Sequence, residues 1–428
     1  MLALLEKIAF VVYYQKKNIY SFNALIGALE TVEELDDIRY YFIRGSENLY
    51  NKLESICENH QKVVVAISFF TTQLWEISDL LKLLRVKYGK SVIFIAGGPH
   101  PTGDPEGTLK MGFNIVVVGE GEETLIEILF NIKNEKNFDE IRGIAYFNND
   151  KSLITTKKRR WIDLDKYPPL PVKNVKFGAI EITRGCPYAC YFCQTPYLLG
   201  TLPRHRSIKS ICYAVSVMKK YDKTDIRFIT PNAFSYGSQD GKSLNIPLLE
   251  NLLIQITKII GPKGKIYMGS FPSEVRPEHV NKETLGLISK YAANDNIVMG
   301  AQSGSDKILK SCHRGHSTID VYNAVKLTLE VGLIPNVDFI FNLPNETEED
   351  IELTIDFMHK ISDIGAKIHS HTFMPLPLTM FAYEDVKEVD EKIVNTISKL
   401  SSRGMAYGEW KKQEKIAKDI SRYLKKMN

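Results

Sequence analysis

From residue 8 onward, short runs of valine, isoleucine and phenylalanine alternate with stretches of helical periodicity, and this alternation constrains the fold more than any other property of the chain. Residues 8–14, 37–43, 63–70, 91–96 and 114–118 lack the strict in-and-out pattern of a strand with one wet face. They read as strands buried on both faces, as in a parallel sheet. Between two of them, Leu74, Ile77, Leu81 and Leu84 recur at spacings of three and four, the apolar stripe of an amphipathic helix. Strands and helices in this order imply a doubly wound α/β domain.

Residues 141–147 and 153–157 flank Asn148-Asn149-Asp150 and predict a hairpin. Residues 161–172 contain Pro168, Pro169 and Pro171, which forbid regular helix, and read as a linker. The alternation then restarts, with strands expected at 178–183, 225–229, 265–269, 296–299, 336–341 and 367–373. Six βα units in roughly 200 residues point to a full or partial β/α barrel, not a second open sheet. The expected division is a doubly wound domain over 1–132, hairpin and linker over 133–174, a partial (β/α)6 barrel over 175–385 and a helical extension over 386–428. That extension is basic, from Lys411 to Lys426. A solvated helix face explains it most simply, and contact with an acidic partner or nucleic acid is the alternative.

The chain has 428 residues, 25% charged and 44% hydrophobic, and a formal net charge of +4. That composition excludes a disordered chain, and the small charge gives no case for a dedicated nucleic-acid binder. The early apolar run at 8–14 is too short for a membrane span or a signal peptide, so a cytoplasmic protein with no membrane partner is expected. Of six cysteines, Cys57, Cys212 and Cys312 stand alone, while Cys186, Cys190 and Cys193 fall within eight residues. In a chain without an export signal this favours metal or redox chemistry over disulfides.

Arg184-Gly185-Cys186-Pro187-Tyr188-Ala189-Cys190-Tyr191-Phe192-Cys193 has the form Cys-x3-Cys-x2-Cys directly after the first strand of the second domain. Three thiolates on one loop can hold three corners of a [4Fe–4S] cubane and leave one iron open for chemistry. A catalytic zinc with three ligands and a water is the alternative. The spacing, with an aromatic residue before the last cysteine, resembles the radical S-adenosylmethionine (SAM) superfamily. That resemblance implies that Cys186, Cys190 and Cys193 bind the cluster, that SAM chelates the open iron, and that one electron cleaves SAM to methionine and a 5′-deoxyadenosyl radical. Further segments follow in family order. Thr230-Pro231-Asn232 lies where relatives contact the SAM amino group, although it is not the usual Gly-Gly-Glu. Gly300-Ala301-Gln302-Ser303-Gly304-Ser305 is similar to "GxESGS", with Gln302 in place of Glu. Phe341-Asn342-Leu343-Pro344-Asn345-Glu346-Thr347 is similar to "GLPGET", with Asn at both glycine positions, and Asn tolerates left-handed backbone. Phe373-Met374-Pro375-Leu376-Pro377-Leu378-Thr379 resembles "PxPGT", with Leu378 in place of Gly, a departure that can alter the loop. Asn232, Gln302 and Ser303 are the SAM-binding residues this implies.

In the first domain, Gly97-Gly98-Pro99-His100-Pro101-Thr102 and Gly119-Glu120-Gly121-Glu122-Glu123 follow successive strands. Glycines at strand ends let backbone approach a large ligand at the carboxyl edge, where doubly wound sheets bind cofactors. Together they resemble the cobalamin-binding domain that precedes the barrel in one branch of the superfamily, which implies a cleft lined by Ser68, Thr71, Gly97, Gly98, Gly119 and Gly121. The Asp-x-His-x-x-Gly loop that supplies a histidine to cobalt in many such domains is absent; the matching loop reads Tyr14-Gln15-Lys16-Lys17-Asn18. Base-off cobalamin is therefore expected, with loss of cobalamin as the competing possibility. His100 reads equally as a cofactor neighbour or as a loop residue satisfying backbone.

Two weaker strings do not change this reading. Gly119-x-Gly121-x-x-Thr124 follows the last strand of its unit, where a dinucleotide fingerprint follows the first, and residues 237–243 are one residue short of a phosphate loop. His369 and His371 alternate along the sixth barrel strand and so share a face. Facing inward they could act as acid and base or bind a second metal; packing within the barrel is the plainer alternative. The resemblance implies a methylase that modifies an unactivated carbon with SAM, cobalamin and electrons from a donor such as a ferredoxin or flavodoxin. Rearrangement, cyclisation or oxidation without methyl transfer is the rival within enzymes, and a cobalamin- or redox-sensing module is the rival outside them.

Overall fold

A computed structural model describes residues 6–426, which form two compact units meeting at Gly178/Ala179. In the first unit, strands β1 (Glu6–Tyr13), β2 (Arg39–Ile43), β3 (His60–Ser68), β4 (Val92–Gly97) and β5 (Ile115–Val117) are all parallel, in the order β2-β1-β3-β4-β5. This is the doubly wound order whose topological switch lies between β1 and β3. Val63 to Ile67 and Ala9 to Val12 are buried, as strands covered by helices on both faces require. One face of the sheet packs Phe10, Val12, Val64 and Ile95 against Phe22, Ile26, Leu125, Ile128 and Leu129 of helices Ile19–Leu29 and Glu122–Lys133. The predicted hairpin, β6 (Ile144–Phe147) and β7 (Leu153–Thr155), extends this sheet in antiparallel fashion. The proline-rich segment after it does not hang free. Ile162, Leu164 and Tyr167 pack beside Ala28, and the Glu30 carboxylate accepts the backbone N–H groups of Val172, Lys173 and Asn174.

In the second unit, β8 (Ile180–Glu181) carries straight on, after one residue, into β9 (Thr183–Arg184), which pairs antiparallel with β10 (Arg204–His205). Strand β11 (Asp225–Ile229) lies parallel beside β8, and β12 (Lys265–Tyr267) lies parallel on the far side of β11. Strands β13 (Asn296–Gln302), β14 (Ile334–Phe341) and β15 (Lys367–Thr372) form a second parallel run. The two runs adjoin where Val298 N–H donates to the Gly269 carbonyl at 2.8 Å. Among the described residues no strand closes the ring back onto β8, so the barrel is partial. The expected helical extension holds helices Glu391–Ser402 and Trp410–Lys425, and between them a strand that periodicity did not reveal, β16 (Ala406–Tyr407), parallel to β15. Two residues carry no period. The last helix buries Trp410, Ala417, Ile420 and Leu424, while Lys418 and Lys425 pair with Glu388 and Asp385 at the surface. Its basic face is exposed, and two of its lysines are paired with carboxylates of the same chain. No described helix is long and apolar enough to cross a membrane.

The carboxyl ends of the barrel strands are shaped by turns in left-handed backbone. Asn342, Asn345 and Leu378, all at positions where the family pattern has glycine, have φ of 62°, 69° and 70°. The turn geometry survives without glycine, cheaply for Asn and at a steric cost for Leu. The turns after β13 and β14 are tied together by Asp350, which accepts from Ser305 Oγ (2.7 Å), Lys307 Nζ (2.7 Å), Thr347 Oγ1 (2.6 Å) and Thr347 N–H (3.0 Å). Burial works to raise the pKa of this carboxyl group, but the hydrogen bonds from Lys307, Thr347 and Ser305 outweigh it and hold the group well below the usual range. A depressed carboxylate contributes stability that is present above its unfolded pKa and is lost as pH falls through the folded value.

Two outcomes follow. Asp350→Asn should destabilise the protein by about 1–3 kcal/mol at neutral pH, and the gap from wild type should narrow below about pH 4 in denaturant titrations run across pH. Leu378→Gly should be neutral to stabilising by about 1 kcal/mol through relief of strain, whereas Leu378→Ala, still confined to left-handed backbone, should not recover that amount in the same assay.

Candidate functional site

The three cysteines sit on a loop pinched at its base by the β9–β10 pair, in which Arg184 faces Arg204 and Thr183 faces His205. Gly185 opens it with φ of 93°, and a Cβ there would lie 2.3 Å from the Leu202 carbonyl oxygen, so only glycine fits. Cys186 N–H donates to Gly200 and Cys193 N–H to Cys190, each at 3.0 Å. Tyr191 stacks on His313 with centroids 5.4 Å apart, and His313 Nδ1 lies 2.7 Å from the Tyr188 carbonyl oxygen. Cys190 is buried; Cys186 and Cys193 are partly exposed. Burial pushes the Cys193 thiol up to about 11 and raises that of Cys186. Such thiols become thiolates at neutral pH only when a cation replaces the proton. Among the described residues the three sulfurs are not gathered within 4.8 Å of one another.

A guanidinium that no sequence signal marked borders this loop. Arg314 directs Nη1 at the Cys190 sulfur, 3.6 Å away, and donates from Nη2 to the Gly300 carbonyl at 2.9 Å. A Cβ on Gly300 would lie 2.2 Å from Gln302 Nε2 and 2.7 Å from Arg314 Nη2, so both side chains would have to move. Arg276 donates to the Arg314 carbonyl and stacks its guanidinium over Tyr188. Burial, with Arg314 and Arg276 nearby, pushes His316 down to about 2 and keeps it neutral.

Beside the loop, the strand ends enclose a cavity of about 250 Å³ whose lining includes Phe192, Glu274, Gln302, Asp338, His371 and Phe373. Of the residues expected to bind SAM, only Gln302 lines it, in left-handed backbone with φ of 76°. Ser303 is fully buried, and its hydroxyl accepts from Ser305 N–H and meets Thr354 Oγ1. Asn232 lies 2.6 Å from His279 Nδ1 and accepts from Arg276 N–H, tying the end of β11 to the loop after β12. His369 and His371 do share the inward face of β15, where Asp338, the register partner of His369 on β14, meets them. Sequence reasoning missed Asp338 and Glu274. Asp338 breaks the apolar run of β14 between Val337 and Phe339, a signal legible once that strand is placed. The surrounding protein and the neighbouring Asp338 push Glu274 up to about 7.

In the first unit, Ser68, Thr71, Gly97, Gly98, Gly119 and Gly121 all lie at the carboxyl edge of β3, β4 and β5. Gly119, with φ of 88°, has nothing within 4 Å of where a Cβ would sit. A Cβ on Gly98 would strike Ser68 Oγ at 2.7 Å, and one on Gly121 would strike Leu25 at 2.9 Å, so these two glycines serve packing. Thr71 Oγ1 lies 3.2 Å from His100 Nδ1. His100 is fully buried, packs against Phe69 and is pushed down to about 4 by burial. His60, the other histidine of this unit, is buried at the opposite edge, at the start of β3, with Nδ1 2.8 Å from the Ile56 carbonyl. His100 thus lies at the carboxyl edge but is wholly covered, and His60 lies at the other edge.

Comparison with known proteins agrees with this arrangement. Residues 31–129 match the B12 binding domain and residues 180–358 match the Radical SAM superfamily. A protein of Methanocaldococcus jannaschii provisionally named a methylthiotransferase is 29% identical over 332 residues, covering 74% of this chain and 68% of that protein. An uncharacterized methyltransferase of Pyrococcus horikoshii is 25% identical over 345 residues, covering 77% and 71%. The solved structure of the radical SAM methyltransferase TsrM from Kitasatospora setae, with cobalamin and a [4Fe–4S] cluster bound, superposes with a TM-score of 0.69 at 14% identity, covering 90% of this chain and 78% of that one. At that identity the likeness establishes the fold. The chain therefore carries a B12-binding domain followed by a radical SAM domain, the pairing found in a radical SAM enzyme.

Proposed function

We infer that this protein is a cobalamin-dependent methylase that cleaves SAM reductively and places a methyl group on an unactivated carbon of a substrate lodged in the barrel cavity. The observation that carries the reading is the pinched three-thiol loop beside a guanidinium and a cavity at the carboxyl ends of parallel strands, in a chain that pairs a B12-binding with a radical SAM domain. When bound, the [4Fe–4S] cluster supplies the electron that breaks a carbon–sulfur bond of SAM, and cobalamin supplies a methyl carrier.

Cys186, Cys190 and Cys193 hold three corners of the cluster. Gln302 meets SAM at the cavity wall, while Asn232 and Ser303 support it through the turns they brace. Phe192, Ile340, Phe373, Met374 and Leu376 line the cavity with apolar surface and keep water from reactive species. In the first unit, Gly119 gives cobalamin its closest backbone approach, with Ser68, Thr71, Gly97, Gly98 and Gly121 shaping the edge around it. With both histidines of this unit buried, cobalamin bound here would take no imidazole from this unit. A ferredoxin- or flavodoxin-like donor reaches the cluster from the side of His313, which lines an open groove of about 850 Å³ with Lys242 and Lys310. Methylthiotransferase chemistry fits less well, because Cys57 is the sole cysteine of the first 178 residues and no second cluster can be built there.

Anaerobically purified protein supplied with cobalamin should carry about four irons and about one base-off cobalamin per chain, read by metal analysis and visible spectrum. With reductant, SAM and substrate it should yield S-adenosylhomocysteine together with 5′-deoxyadenosine. Deoxyadenosine alone would convert the reading to radical chemistry without methyl transfer, and neither product would leave a binding module. Cys190→Ala should abolish both iron retention and SAM cleavage.

Arg314→Gln should leave iron content unchanged and shift the cluster midpoint to more negative potential in an EPR-monitored redox titration. A buried cation hydrogen-bonded to a ligating sulfur favours the more negative, reduced cluster. Arg314→Lys should restore part of the shift.

A further inference from the structure

At the inner face of β14 and β15, three lone-pair-bearing atoms converge on one point. Nδ1 of His369 lies 2.8 Å from Oδ1 of Asp338 and 3.1 Å from Nε2 of His371, and that Nε2 lies 4.0 Å from the same Asp338 oxygen. With a single proton or lone pair, His369 Nδ1 cannot satisfy two partners at once, so the group is frustrated as a hydrogen-bonded cluster. A cation at its centre gives all three atoms a partner. In their plane, a point equidistant from the three lies about 2 Å from each, the length of a bond from a divalent metal to imidazole or carboxylate. Seen from there, His369 stands at nearly a right angle to each of the other two, which lie almost opposite one another. That is the meridional half of an octahedron, and tetrahedral zinc does not fit it.

The geometry points to a divalent-cation site formed by Asp338, His369 and His371, taking an octahedral first-row ion whose open positions bind a chelating oxygen or nitrogen group of the substrate. His371 and Asp338 line the same cavity as Gln302 and Phe192, so a ligand on the ion would lie where the proposed function puts the substrate. The site rests on that reading for the identity of the cavity, while ion binding itself does not. The surroundings hold the ligands in place. His369 stacks on Tyr407 of β16, 4.6 Å between centroids, and Gln413 accepts from Thr372 N–H at 2.9 Å while its amide nitrogen lies 3.2 Å from His371 Nδ1. Ligation through Nε2 moves the His371 proton to Nδ1, which then needs an acceptor. A carboxylate at position 413 would accept from both Nδ1–H and Thr372 N–H.

The test is nickel uptake by untagged, full-length protein with its cluster reconstituted, measured by equilibrium dialysis against NiCl2 and metal analysis. Wild type should take up about one nickel per chain beyond the His369→Ala/His371→Ala variant at equal iron content, Asp338→Asn should weaken uptake at least tenfold, and Gln413→Glu should tighten it several-fold. Equal nickel in wild type and the double variant, or looser binding in Gln413→Glu, would overturn the site. If the double variant loses its fold by circular dichroism, the comparison of wild type with Gln413→Glu decides. Failure of the cluster reading would appear separately, as missing iron with nickel uptake intact.

Discussion

The active end of the barrel hangs on the guanidinium of Arg314, which joins the three-cysteine loop to the end of β13 by pointing one nitrogen at the Cys190 sulfur and another at the Gly300 carbonyl. A planar fork can hold two acceptors at fixed separation and cannot lose its proton, which a lysine in the same place would do less well. Its position dictates neighbouring sequence. A Cβ on Gly300 would crowd both the Gln302 amide and this fork, and Arg276 donates to the Arg314 carbonyl. Burial, with the two arginines nearby, keeps His316 neutral, so it adds no positive charge beside them.

Positive φ at non-glycine residues records a second constraint. Gln302, Asn342, Asn345 and Leu378 all lie at the carboxyl ends of barrel strands, and all hold backbone that glycine would hold at lower cost. The turns there are set by what must lie on either side of them. Asp350 ties the β13 and β14 turns through Ser305, Lys307 and Thr347, and that network leaves Gln302 facing the cavity. Strain of this kind is tolerated where the surrounding hydrogen bonds over-determine the conformation.

These constraints also explain which parts were legible in the sequence. Strands buried on both faces announce themselves by Val, Ile and Phe, so the longer parallel strands of both units were legible, whereas the two-residue strands β10 and β16 were not. The cysteine loop was legible because its spacing is local. The partners Arg314, Asp338 and Glu274 were not. Each has a partner far along the chain, Cys190 at 124 positions from Arg314 and His369 at 31 from Asp338, and only the folded barrel brings them together. Asn232 and Ser303 show the converse limit: a motif locates a turn correctly, yet the side chain within it braces backbone and does not face the cavity. The proline-rich stretch after the hairpin was legible as non-helical, but its anchoring to Glu30 depends on a carboxylate some 140 residues earlier.

The carboxyl-terminal extension shows how two residues of strand can reorganise a site. β16 is held by its pairing with Ile368 and His369, and by Gly408, where a Cβ would lie 2.3 Å from the Ser370 carbonyl. That approach places Tyr407 flat against His369 and lets the following helix deliver Gln413 to His371 and Thr372. Without them, His369 and His371 would be two imidazoles at the edge of an open barrel, free to take several rotamers. With them, both rings are fixed toward Asp338, so the added strand and helix act on the chemistry of β14 and β15 by removing side-chain freedom before any substrate arrives.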